Sequence, residues 1–176
     1  MKKYFNKSVI ALCSLFFFTA CQKNETKITY DSSAVPPVLS ANFANNDTVP
    51  LLISDSLNTA LSFSWTNPGY VFSNGISSLN VNYTLQIDTV GSNFTNPNLK
   101  EITIPSALST SFTVTALNTV LFGTLFLKTG VPHNIALRLK SFVNQGSLPL
   151  YSNVLTYVIT PYSIPPKVAP PTSGAL

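Results

Sequence analysis

The sequence contains few of the residues on which most catalytic and metal sites depend. It has one histidine and two cysteines, and charged residues make up 9% of its 176 positions. Nucleophilic and acid–base sites need an oriented partner beside the reacting group, but His133 stands in a predicted turn without an obvious one. There is no Gly-rich phosphate loop or G-x-S-x-G motif, and the Asp residues are too scattered for a calcium loop. We therefore predict a protein that is not an enzyme and holds no metal or cofactor.

The N-terminal segment contains both cysteines and three of the ten cationic residues. Three lysines precede an apolar run at residues 9–18, which has the length of a secretory signal and is too short to span a bilayer with roughly 20 apolar residues. The letters FTAC at residues 18–21 are typical of a lipobox, with Phe18 in place of the usual Leu. The pattern predicts a signal peptide at residues 1–20 and acylation of Cys21. The alternative is an ordinary secretory signal that is cleaved elsewhere.

Removal of this segment changes the chemistry of the chain. Seven cationic residues then face six acidic ones, so no basic surface for nucleic acid is expected. No free thiol remains, which excludes disulfides and cysteine redox sites. Acyl chains on Cys21 would bury many CH2 groups in lipid, each contributing about 0.8 kcal/mol. Gln22 favours the outer membrane over the inner one, and Glu25 weakly matches a surface-export signal, so we expect a lipid-anchored protein of the outer membrane and cell surface.

Two polar or Pro-rich stretches flank a central region of about 125 residues, the size of one domain. Residues 21–37 are polar and end in two prolines, which predicts a flexible tether. Residues 164–176 contain four prolines and no periodicity, which predicts a linker. A linker at this place suggests that the sequence is part of a longer protein. The predicted domain therefore covers residues 38–163.

The central region alternates apolar and polar residues, as an all-β protein does. Trp65 ends one such strand and is expected to anchor the core, and Arg138 falls on the opposite face from the apolar residues of its strand. The predicted fold is an immunoglobulin/fibronectin III-like β-sandwich. Strands are predicted at residues 38–42, 61–65, 81–88, 101–104, 111–114, 135–143 and 154–160.

One segment departs from the strand period. Residues 117–128 place apolar side chains at helical spacing, with Asn118 as a candidate N-cap and Gly130 as a candidate C-terminal cap. This predicts one short helix that crosses an end of the sandwich. The competing interpretation is a hairpin strand, because Val, Phe and Thr favour strands and Gly123 disfavours a helix interior.

Several short segments follow one another in a recognisable order. They are the lipobox, FSW at residues 63–65, YTLQID at 83–88, LN at 117–118, RLKS at 138–141, YSN at 151–153 and TPY at 160–162. This order resembles the N-terminal domain of SusE-type outer-membrane lipoproteins of Bacteroidetes. The resemblance implies a role in glycan capture at the cell surface, beside a SusC-type porin and a SusD-like binder, with starch or another glycan as ligand. In that family the matching domain is mainly a spacer. The alternative is an Ig-like structural module that docks another envelope protein without touching glycan.

Two groups of residues are candidate sites on the mature chain. Tyr70, Phe72 and Phe94 lie in predicted loops, where their rings could stack on sugars or, as the commoner alternative, close the end of the core. Three of the four mature Asp residues precede a hydroxyl and an apolar residue, the O-glycosylation sequence of Bacteroidetes. The hydroxyls concerned are those of Thr48, Ser56 and Thr89.

Overall fold

The computed structural model describes residues 29–31, 34–73, 75–76, 80–143 and 147–164. Cys21 and the predicted signal peptide lie outside these residues. No helix in the described part is long and apolar enough to cross a membrane. The described strands are β1 (Tyr30–Asp31), β2 (Leu39–Ala41), β3 (Thr48–Val49), β4 (Thr59–Trp65), β5 (Val71–Phe72), β6 (Gly75–Ile76), β7 (Asn82–Thr89), β8 (Lys100–Pro105), β9 (Ser109–Thr113), β10 (His133–Val143), β11 (Ser147–Tyr151) and β12 (Leu155–Ile159).

Two sheets form the predicted sandwich, which confirms the all-β prediction. The smaller sheet has the strand order β2-β4-β9. The larger sheet has the order β3-β12-β10-β7-β8, and β11 also pairs with β10. All pairs are antiparallel except β3 with β12. Each strand predicted from the sequence lies within two residues of an observed one, because alternate burial is a local property of the chain.

One hydrophobic core fills the space between the two sheets. Leu61 and Phe63 from β4 and Leu85 and Leu137 from the larger sheet are almost completely buried in it. Burial of each such side chain contributes about 1.5–3 kcal/mol. Trp65 is also buried, with its ring 5.5 Å from that of Tyr83, which confirms its role as a core anchor.

The helix is present, but it begins earlier than predicted. Helix α1 spans Val114–Thr119 and continues as a π-helical turn, Val120–Thr124, so the predicted range of 117–128 is shifted. Its N-cap is Thr113, whose side chain accepts a hydrogen bond from the backbone of Ala116 at 3.2 Å. Thr113 is also the last residue of β9, so strand and helix join without a loop. Periodicity alone does not reveal such a join.

Asn118, the predicted cap, instead lies inside the helix and is buried. Its Nδ2 donates to the carbonyl of Tyr162 at 3.0 Å, and its Oδ1 accepts from the backbone N–H of Tyr162 at 2.8 Å. The two bonds hold the segment after β12 against the helix. The prediction was wrong because the partner of Asn118 is distant in sequence.

A third, small sheet has the order β1-β5-β6 and includes residues assigned above to the tether. Tyr30 pairs with Phe72, and its ring lies 6.1 Å from that of Tyr70. The backbone N–H of Val35 donates to the carbonyl of Pro68 at 3.0 Å. Among the described residues, contacts between this segment and residues of the domain are present from Thr29 onward. The aromatic ring of Tyr30 supplies apolar contact that the polar composition of the segment does not suggest.

Candidate functional site

The outer face of the larger sheet carries the only arginine of the sequence against two aromatic rings. The guanidinium carbon of Arg138, in β10, lies 4.1 Å from the ring centre of Phe94 and 4.3 Å from that of Tyr151. Phe94 comes from the connection between β7 and β8, and Tyr151 ends β11. Cation–π contacts of this kind contribute roughly 0.5–2 kcal/mol each.

The register of β10, β7 and β8 places Gln86 and Glu101 in line with Arg138. Gln86 in β7 pairs with Arg138 on one side and with Glu101 in β8 on the other. Side chains on paired positions share a face, so all three point away from the core. The Nε of Arg138 donates to Oε1 of Gln86 at 2.6 Å, and Nε2 of Gln86 donates to Oε1 of Glu101 at 2.7 Å. We call Gln86, Phe94, Glu101, Arg138 and Tyr151 the arginine cluster.

The turn that carries Phe94 is held in an unusual backbone conformation. Asn93 and Phe94 have φ angles of 52° and 58°. Residues other than glycine adopt this left-handed region at a cost of roughly 1–2 kcal/mol. A hydrogen bond of 3.0 Å from the backbone of Thr95 to the carbonyl of Ser92 closes the turn. The contact between the Phe94 ring and Arg138 offsets part of this cost.

The arginine cluster keeps hydrogen-bond donors free. Within the described part of the chain, the two terminal amino groups of Arg138 have no hydrogen-bond acceptor, whereas its Nε is occupied. Gln86 is only 5% exposed, but Tyr151 is 41% exposed and Arg138 is half-buried. The cluster therefore presents to solvent the positive charge of Arg138, the exposed carboxylate of Glu101 and part of an aromatic ring.

The three predicted sugar-stacking rings do not share a surface. Tyr70 is 2% exposed, and its hydroxyl lies 3.0 Å from the carbonyl of Ser141 and 2.9 Å from that of Leu148. Its burial leaves no ring face for a sugar. Phe72 lies in β5, half-buried, with its ring 5.9 Å from that of Tyr30. Of the three, only Phe94 belongs to the arginine cluster.

Sequence reasoning did not single out Arg138 or Tyr151 as site residues. The strand alternation of β10 already placed Arg138 on the outer face, and that was the available signal. Tyr151 could not be found in this way, because it reaches Arg138 through the pairing of β11 with Lys140 of β10.

Within the described residues, His133 lies apart from any group of side chains that could hold a metal ion. Nε2 of His133 lies 2.9 Å from the backbone carbonyl of Lys128. In the described ranges, no group of three His, Cys, Asp or Glu side chains could hold a metal ion. A surface depression of about 600 Å³ beside β3 is lined by residues 48–52, 129–130 and 160–163, none of which is His, Cys, Asp, Glu, Lys or Arg.

The three candidate glycosylation hydroxyls differ in access. Thr48 is exposed on the edge strand β3, and its preceding Asp47 is exposed too. Ser56 and Thr89 are half-buried, and Oγ1 of Thr89 lies 2.7 Å from Oγ of Ser92.

If the folded protein is the substrate, we expect Thr48 to carry most of the glycan. Mass analysis of peptides from native protein measures the occupancy of each hydroxyl, and higher occupancy at Thr89 than at Thr48 would contradict this order.

Comparison with known proteins identifies a family. The family model described as SusE outer membrane protein matches residues 22–140, which is more than half of the chain. A search of curated proteins found no match. The matched range contains β1, the smaller sheet and most of the larger sheet. It also contains four of the five residues of the arginine cluster. The chain therefore belongs to the SusE outer membrane protein family and is an outer-membrane component of a glycan utilisation system.

Proposed function

We propose that this chain is a non-catalytic spacer, anchored to the outer membrane through acylated Cys21, in a system that takes up starch or another glycan. One structural observation supports the spacer role: the described chain enters the sandwich at one end and leaves it at the other. A domain with this path holds its N-terminal and C-terminal flanking segments apart by the length of the sandwich.

The entry end is defined by contacts of the N-terminal strands. Leu39 pairs with Trp65 at the end of β4, and the hydroxyl of Tyr70 lies beside Ser141 near the end of β10. The small sheet with Tyr30 lies at the same end, since its ring contacts Tyr70.

The exit end is defined by contacts of the last residues. Ile159 of β12 pairs with His133, the first residue of β10. Tyr162 is bonded to Asn118 of α1. Because β10 runs from one end to the other over 11 residues at a rise of about 3.3 Å per residue, the entry and exit lie about 35 Å apart.

Fluorescence transfer on lipid vesicles tests the spacer role. A donor dye is attached to Ile164→Cys at the exit or to Val35→Cys at the entry, both exposed positions, in lipidated full-length protein. With acceptor dye in the lipid headgroups, we expect strong transfer from position 35 and weak transfer from position 164. Equal transfer from both positions would mean that the domain lies flat on the membrane, and the spacer role would be rejected.

A docking module is the second candidate. Leu57 and Phe126 flank the helix end of the sandwich and are largely exposed. Exposed apolar residues grouped at one end favour contact with another protein. The partners that fit this role are SusC-like and SusD-like membrane proteins, and their co-purification with the full chain would support it.

A further inference from the structure

We propose that the arginine cluster binds a uronic acid residue of a polysaccharide, with the sugar carboxylate on the terminal amino groups of Arg138. The site lies on the side of the sandwich, not at the ends that define the spacer. Binding there does not depend on the spacer role, and it would make this domain a direct glycan contact.

The first argument is that Arg138 is held in place before any ligand binds. Two rings lie within 4.3 Å of its guanidinium carbon, and its Nε is bonded to Gln86. The bond from Gln86 to Glu101 fixes which way the amide of Gln86 points. A free arginine side chain loses rotamer entropy when a ligand fixes it, and here the fold has already fixed most of the side chain.

The second argument is the geometry of the donors that remain. A guanidinium group is planar and permanently charged, and its N–H groups match the two oxygens of a carboxylate. Two aromatic rings lie against the guanidinium carbon and Nε is bonded to Gln86, so the terminal amino groups are the donors that remain for a ligand. A single sugar hydroxyl would use only one of these donors, whereas a carboxylate uses two.

The third argument concerns charge and apolar surface next to Arg138. Lys140 lies two residues further along β10 on the same face, with its ammonium 5.6 Å from the ring of Phe142. The ring of Tyr151 is partly exposed beside the guanidinium. A cationic fork beside an aromatic surface suits an anionic ring such as a uronic acid better than a neutral sugar. Membership of a glycan utilisation family favours a glycan over a protein carboxylate.

Affinity electrophoresis and calorimetry with polygalacturonate and with starch test the proposal on the full mature chain. We expect wild-type protein to bind polygalacturonate and Arg138→Lys to bind it about tenfold more weakly, because lysine keeps the charge but loses the planar fork. Tyr151→Ala should weaken binding severalfold. Glu101→Gln should strengthen it, since a neighbouring negative charge is removed.

Lys128→Gln is the matched control, because it removes one positive charge far from the cluster and should leave the affinity unchanged. Circular dichroism of each variant separates loss of binding from loss of folding. The proposal is rejected if polygalacturonate is not retained, if Lys128→Gln weakens binding as much as Arg138→Lys, or if Arg138→Lys leaves binding unchanged.

Loss of co-purifying membrane proteins in Arg138→Lys without any uronate binding would instead assign the cluster to a protein partner. The fluorescence experiment on the spacer does not use Arg138, so the two proposals can fail separately.

Discussion

Raising the pH from 10 to 12 is expected to destabilise the domain. Tyr83 is 1% exposed, and burial raises its pKa to about 12 from the ordinary value of 10.0. Burial also raises the pKa of Tyr70 and that of Tyr157. These tyrosines ionise first in the unfolded chain, so the stability that they contribute is complete below pH 10 and is lost as the pH rises above it.

The size of this effect is large for a domain of this length. Each tyrosine that stays neutral only in the folded state lowers the free energy of unfolding by about 1.4 kcal/mol per pH unit. Between pH 10 and pH 12, Tyr83 alone would remove about 2–3 kcal/mol. The ionisation of Tyr70 and Tyr157 in the unfolded chain adds to this loss, which is taken from the roughly 5–15 kcal/mol that stabilises typical domains. Urea unfolding at several pH values, followed by the fluorescence of the single tryptophan, measures the loss.

Tyr83→Phe separates this explanation from general alkaline damage. The Tyr83 hydroxyl is buried and has no hydrogen-bond partner in the described structure, so its removal costs no bond. We expect this variant to be about 1 kcal/mol more stable at pH 7 and to lose stability less steeply above pH 10. Tyr157→Phe is the control for the comparison at pH 7, because its hydroxyl donates to the carbonyl of Phe43 at 3.2 Å and its loss should destabilise by about 1 kcal/mol. Above pH 10 this variant should also lose stability less steeply, since the pKa of Tyr157 is raised as well. An alkaline slope that is unchanged in Tyr83→Phe would contradict the assignment.

Asn118→Ala is expected to destabilise the domain by about 2–4 kcal/mol. The substitution removes both hydrogen bonds to Tyr162 and leaves a small cavity at a position that is 1% exposed. The backbone N–H and carbonyl of Tyr162 then have to find water at a half-buried position. The exit segment should also loosen, because these two bonds tie it to α1.

Chemical denaturation and amide hydrogen exchange measure the two consequences. Thr119→Ala is the matched control on the same helix, because Thr119 is exposed and its hydroxyl bonds only to the carbonyl of Thr115. Its effect should stay within about 0.5 kcal/mol. Exchange of the Tyr162 amide should accelerate in Asn118→Ala and not in the control. Equal stability of the two variants would show that the exit segment is held by other contacts.

Local sequence patterns were sufficient for the strands and for the inward-facing core. Leu61 and Phe63, like Leu137 and Leu139, alternate with polar residues, and a half-buried strand requires that alternation wherever it lies. The arrival of Trp65 in the core followed from the same rule. The helix was recognisable by its period, but its start was not, because the capping residue Thr113 is also the end of a strand.

Contacts between residues that are distant in sequence explain where the predictions failed. They also explain which features the sequence did not reveal. An aromatic residue in a loop can face water or close a core, and nothing near Tyr70 shows that Ser141 and Leu148 receive its hydroxyl. The packing of Tyr30 is equally hidden in the sequence, because its partner strand β5 begins 41 residues later.

The sequence by itself predicted a signal segment that ends at Cys21 and a small net charge for the rest of the chain, and it determined the alternating strands and the family. Each of these depends on composition or on neighbours in the chain. Only the tertiary structure decided that Gln86, Arg138 and Tyr151 meet on one face, and that the chain enters and leaves at opposite ends. Both depend on strand register and on side-chain packing, which are set when distant segments bury their apolar faces against each other and pair their backbone hydrogen bonds.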